Sequence, residues 1–150
     1  MHLKSLNHLF AEQILTQNHR QIKDEVLDIL SSVKISKART YKGLSSALKR
    51  RFKAKGWQPG NGFKLVDFMK RGVGIGFAIG KDAPADDLLN SSMELDNLEV
   101  GIYILATKNL QKKINKRFDP CALNFEKLEE YFEELQEEIP LPVWFLGLDG

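Results

Sequence analysis

Residues 63–80, FKLVDFMKRGVGIGFAIG, constrain this chain more than any other stretch. Two apolar runs, 63–69 and 73–79, meet across Arg71 and Gly72, and a glycine after a polar residue suits a tight reversal. The stretch therefore reads as a β-hairpin. Side chains alternate across a strand, so Val73, Ile75, Phe77 and Ile79 share one face, and Gly74, Gly76, Ala78 and Gly80 the other. A face this bare weakens a strand, because glycine loses backbone entropy on ordering and packs against nothing. The fold must require or tolerate it. Asp67 stands between Val66 and Phe68, a carboxylate in an apolar run that is costly to bury without a partner.

With 150 residues and 43% hydrophobic content, the expectation is one domain with a real core. No apolar run approaches the length of a membrane span, and the N-terminal MHLKSLNHLF lacks the apolar centre of a secretory signal. A cytoplasmic protein that does not enter a membrane is the reading. Cys121 has no second cysteine, and His2, His8 and His19 show no zinc-ligand spacing with it.

The net charge of +2 conceals an uneven distribution. Between Asp28 and Asp67 there is no acid, while Lys34, Lys37, Arg39, Lys42, Lys49, Arg50, Arg51, Lys53, Lys55 and Lys64 accumulate. Most charge runs are solvated helix faces. A run of one sign without i,i+4 acids repels itself, however, and a polyanion would relieve it. Nucleic-acid binding is the functional expectation.

In chain order, Leu6, Leu9, Phe10, Ile14, Ile22, Val26, Ile29 and Leu30 follow helical spacing from Leu3 onward, with a polar break at 17–19. Two helices or one bent helix are expected. Thr40 can cap the basic helix and Gly56 end it, and QPGNG at 58–62 reads as a loop. Asp82 can cap a helix running to about Asn97. VGIYILA at 100–106 reads as a central strand covered on both faces. Thr107 caps a basic segment whose first amides could meet a phosphate. Asn124 opens a helix through Glu138, with Phe125, Leu128, Tyr131, Phe132 and Leu135 on its apolar side and glutamates outward, a face that would repel DNA. LPVWFLGL ends the chain as a strand, with Trp144 in the core. Strands linked by helices predict an α/β domain with a mixed sheet of about four strands flanked by helices.

These pieces resemble the BglII and BamHI type of restriction endonuclease, within the PD-(D/E)XK nuclease superfamily. KRRFKAKGW, KLVDF, VGIGFAIGK, DDLL, VGIYILATKNLQKKI, NFEKLEEYFEEL and LPVWFLGLD carry the resemblance in that order. It implies a restriction-endonuclease-like core, a homodimer acting on double-stranded DNA, and Mg²⁺-dependent phosphodiester cleavage. Asp67 matches the family's metal-binding aspartate. The glutamate that shares the ion falls at Gly76, and the residue that positions the attacking water falls at Ala78. Mg²⁺ needs octahedral oxygen ligation and one or two carboxylates, so these replacements imply a degenerate site with no cofactor or a weakly bound Mg²⁺ at Asp67.

The expected function is a catalytically impaired relative that binds DNA through Lys37, Arg39, Lys42, Lys49, Arg50, Arg51 and Lys53, with Lys108, Lys112 and Lys113 as a second set. Two alternatives stand beside it. The first is an active nuclease whose carboxylates have moved to Asp82, Asp86, Asp87, Glu94, Glu12 or Glu25. The second is a protein-interaction module that has left DNA behind.

Overall fold

The computed structural model describes residues 2–34, 39–60, 66–78, 98–114, 123–139 and 141–149. Their elements run β1 (His2–His8), α1 (Ala11–Asn18), α2 (Arg20–Ser32), α3 (Tyr41–Ala54), β2 (Gln58–Pro59), β3 (Phe68–Lys70), β4 (Val73–Ala78), β5 (Val100–Ala106), α4 (Lys108–Ile114), α5 (Phe125–Glu130), α6 (Phe132–Glu138) and β6 (Val143–Asp149). The strands form one sheet of six, in the order β1-β6-β5-β4-β3-β2. β4, β5 and β6 are parallel, and β1, β3 and β2 pair antiparallel with their neighbours. The fold is thus the expected mixed α/β sheet, larger than the expected four strands by β1 and β2.

β5 lies at the centre, buried along its whole length. Its alternate side chains build two cores. Val100, Ile102, Ile104 and Ala106 join Trp144, Leu146 and Leu148 beneath α1, α2, α3 and α4. Tyr103 and Leu105 join Val143 and Phe145 beneath α5 and α6. The sheet therefore separates the basic helix α3 from the acidic pair α5 and α6, placing them on opposite faces.

Local chemistry explains the boundaries. Thr40 accepts the Gly43 amide at the start of α3 (3.0 Å), and Gly56, at φ 86, ends it in the left-handed region open to glycine. The break between α1 and α2 falls at His19, whose amide still donates to the Leu15 carbonyl (2.9 Å). The hairpin turns across Arg71 and Gly72, both at positive φ (51 and 81), and pairs Phe68 with Ile75 and Lys70 with Val73.

Several expectations are corrected. Leu3 and Leu6 belong to a strand, not a helix, because β1 completes the sheet beside β6. Leu9 and Phe10, both at positive φ (52 and 59), then swing the chain into α1. Gln58–Pro59 is a short edge strand inside the expected loop, where proline needs no ladder donor. The acidic helix breaks at Tyr131, whose amide reaches the Leu128 carbonyl (3.1 Å) in a tightened last turn, and Tyr131 is exposed, not apolar-side. The face of β4 carrying Gly74 is not bare. A Cβ on Gly74 would stand 2.5 Å from Leu98 Cδ1 and 3.4 Å from Val66, so the Leu98 side chain packs into the space the glycine leaves and would have to shift to admit a larger residue. Residues 79–97, with Asp82, Asp86, Asp87 and Glu94 and the helix expected among them, lie outside the described residues.

α2 is tied to the hairpin by a polar anchor. Glu25 accepts from Lys70 Nζ (2.9 and 3.2 Å) and from Nε1 of the buried Trp57 (3.0 Å), and Lys70 also donates to the Lys55 carbonyl (2.9 Å). Glu25→Ala would leave a buried indole N–H without its acceptor and Lys70 without its counter-charge. A loss of about 1–3 kcal/mol in urea unfolding is expected, the range for an orphaned buried polar group.

Candidate functional site

Asp67 directly precedes β3, and its amide donates to the carbonyl of Ile75 (2.8 Å), the residue paired with Phe68. Its carboxylate reaches β4 at the Phe77 amide, next in chain after Gly76. The expectation of a carboxylate inside a strand is corrected, since the side chain is 33% exposed at the strand's mouth. Its oxygens are nevertheless engaged. Oδ2 accepts the Phe77 amide at 2.9 Å, and Oδ1 lies 3.7 Å from Lys49 Nζ of α3.

The placement is set by aromatic packing. Phe52 of α3 is fully buried and stacks on Phe68, next in chain after Asp67, at 6.0 Å between ring centroids. It also meets Phe77 at 5.5 Å and Trp57 at 5.5 Å. The cluster docks α3 on the hairpin with Lys49 leaning over Asp67. Gly76 is buried in the ladder opposite Tyr103, and Ala78 pairs with Leu105. Neither offers a side-chain donor atom.

Among the described residues, several other carboxylates are committed elsewhere. Glu25 is held by Lys70 and Trp57, and Glu12 pairs with Lys23 at 3.3 Å. The Glu99 carboxyl is held below the usual carboxylate range by hydrogen bonds from His19 and Asn18. Asp149 is held low by hydrogen bonds from Thr107 and Asn109. Among the described residues, no group of three His, Cys, Asp or Glu side chains could hold a metal ion. A site for Mg²⁺ needs several oxygen donors, and here one carboxylate already faces an N–H and an ammonium, so these residues do not fit the ion.

The basic residues fall into distinct places. Lys42, Ser46, Arg50 and Lys53 are exposed along the outward side of α3, opposite the buried Leu44, Leu48 and Phe52. Arg51 instead lines the cleft against α2, with Asp24, Glu25 and Asp28, and Arg39 lines a second cleft at the start of α3 beside Lys34 and Thr40. Lys37 lies outside the described residues. α4 abuts the start of α3, where Tyr41 Oη donates to the Gln111 carbonyl (3.1 Å), so Lys112 and Lys113 stand on the same face of the sheet as Lys42.

Thr107 caps α4 as expected, accepting the Leu110 amide at 3.2 Å, but the Lys108 amide donates to Glu126 (2.8 Å) and is not open to a phosphate. The contacts of Lys49 with Asp67 and of Lys70 with Glu25 have no counterpart in the sequence pattern. Both join residues far apart in sequence, so no local spacing announces them. No described helix is long and apolar enough to cross a membrane.

Comparison with known proteins follows the same outline. The crystal structure of free BglII matches over 100% of this chain and 80% of its own, with a TM-score of 0.74 at 17% identity. BglII complexed with a DNA 16-mer matches over 100% of this chain and 79% of its own, with a TM-score of 0.73 at 17% identity. No curated protein sequence matches. The family described as Restriction endonuclease BglII/BglIII matches residues 3–148, and the chain belongs to that family.

Proposed function

We propose that this chain is a restriction-endonuclease-like domain that holds double-stranded DNA without cutting it. One observation carries the reading. The Asp67 carboxylate is taken up by the Phe77 amide (2.9 Å) and the Lys49 ammonium (3.7 Å), and the neighbouring Gly76 and Ala78 supply no ligand. Metal-assisted hydrolysis needs an ion that activates water and neutralises charge developing on the phosphate, and a group that orients the water. Among the described residues, no group of acidic side chains gathers to hold that ion.

Support for DNA comes from charge placement and from the solved BglII–DNA complex of the same fold. Lys42, Arg50 and Lys53 project from one sheet face, which also carries α4 with Lys112 and Lys113, while Glu129, Glu130, Glu133, Glu134 and Glu137 are exposed on the other. Such segregation lets a polyanion approach α3 and α4 without meeting the glutamates of α5 and α6. By the same family likeness the working unit is a cytosolic homodimer on duplex DNA.

Incubation of the purified protein with supercoiled plasmid and Mg²⁺ or Mn²⁺ tests this. No nicking or linearisation is expected, together with duplex binding that weakens steeply with salt. Cleavage abolished by Asp67→Ala would refute the impaired-site reading. Absence of duplex binding at low salt would refute the DNA-binding one.

A further inference from the structure

The misfit between this site and a divalent cation leads to a positive assignment. A pocket built of carboxylates repels a phosphodiester until a cation occupies it, because like charges a few ångströms apart interact unfavourably wherever solvent screening is incomplete. Among the described residues, the acid that reaches the Gly76–Phe77 part of β4 is Asp67, and the cation standing on it belongs to the chain. Lys49 Nζ lies 3.7 Å from Asp67 Oδ1, with the lysine side chain 40% exposed and the carboxylate 33% exposed. The ammonium has three donors and the carboxylate requires only one of them, which leaves donors for a second oxygen acceptor arriving from solvent.

The pair is also fixed in place from both sides. Leu48 and Phe52 of α3 are fully buried against the sheet, and Oδ2 of Asp67 is tethered to the Phe77 amide at 2.9 Å. The exposed line Lys42, Arg50 and Lys53 runs along the same helix, and from Lys42 to Lys49 the axial rise is roughly 10 Å at 1.5 Å per residue. A backbone following that line arrives at the Asp67 locus.

Resting on the reading of a duplex-binding surface, we infer that Lys49 takes the place of the divalent cation. It is a metal-independent contact to a DNA backbone phosphate at the C-terminal end of β4, and Asp67 is the residue that positions it. No bond is made or broken. The ammonium shares its donors between carboxylate and phosphate, and the remaining negative charge of Asp67 tempers the contact.

The test is fluorescence anisotropy with a labelled DNA duplex of mixed sequence, in EDTA and in Mg²⁺, across a salt series. The wild-type chain should bind equally in both. Lys49→Met should bind roughly tenfold more weakly at low salt, with a shallower salt dependence by about one phosphate contact. Lys49→Arg, which keeps the charge, should stay near wild type in slope. Asp67→Asn should bind more tightly than wild type, an effect that loss of fold would not produce. Circular dichroism of each variant separates unfolding from lost contact.

Duplex binding that requires Mg²⁺, or a Lys49→Met variant with wild-type affinity and slope, would overturn the assignment while leaving the DNA surface standing. Absence of wild-type binding in every condition would instead remove the DNA reading and this assignment with it.

Discussion

Phe52→Ala should lower the unfolding free energy by about 3–5 kcal/mol, the range for deleting a fully buried aromatic ring. Phe52 is inaccessible to solvent and lies at the middle of a cluster with Trp57, Phe68 and Phe77. Those partners come from the loop after α3, from β3 and from β4, so the cavity would open at one junction of several elements. Domains are typically stable by about 5–15 kcal/mol, so the variant would keep a small margin or none. Phe52→Leu, which keeps most of the volume, should cost less. Urea unfolding of both variants measures the difference. The effect reaches the site because Phe68 adjoins Asp67 in the chain and the Phe77 amide holds its carboxylate. A Phe52→Ala variant within about 1 kcal/mol of wild type would mean that α3 is not docked on the hairpin through this ring, against the expected cost of a core cavity.

Why some of this architecture is legible in the residues and some is not follows from the range over which each signal acts. The Thr40 cap, the Gly56 stop, the Arg71–Gly72 reversal and the Thr107 and Asn124 caps are contacts within a few residues, and the structure has each of them. β5 is legible because a strand buried on both faces must be apolar throughout. β1 is not. Leu3 and Leu6 sit three apart, which on a helix is one face and on a strand is two opposite faces, and each packs against a different core. Spacing alone cannot distinguish those cases; pairing with β6 decides it.

The candidate site divides along the same line. That Gly76 and Ala78 carry no oxygen or nitrogen in their side chains is visible in the residues themselves. The answering presence of Lys49 over Asp67 is not, because it depends on the docking of α3. The same holds for Glu25, whose two partners lie beyond the basic helix in sequence. The long run of basic residues reads as one patch, yet helical geometry turns Arg51 toward the acids of α2 and leaves Lys42, Arg50 and Lys53 outward.

If the deficiency at Asp67 is one of charge and not of shape, then restoring the missing acid and removing the resident cation should create a metal site. In EDTA, the double variant Lys49→Met with Gly76→Glu would place two carboxylates together with no counter-charge, so its melting temperature should fall below that of wild type. Mn²⁺ should reverse the fall. At a metal concentration of about 100 times the dissociation constant, linkage stabilises the folded state by about 2.7 kcal/mol. In a chain of this size that corresponds to a rise of roughly 5–10 °C. Asp67→Asn in the same background should abolish the rise, and the wild-type chain should melt at the same temperature with and without Mn²⁺. A wild-type rise that vanishes in Asp67→Asn would show that the native donors already hold the ion. An unresponsive double variant would show that Gly76 and Asp67 do not share the geometry of a metal site. Differential scanning calorimetry of these variants separates the two failures, because the first appears only in wild type and the second only in the rebuilt chain.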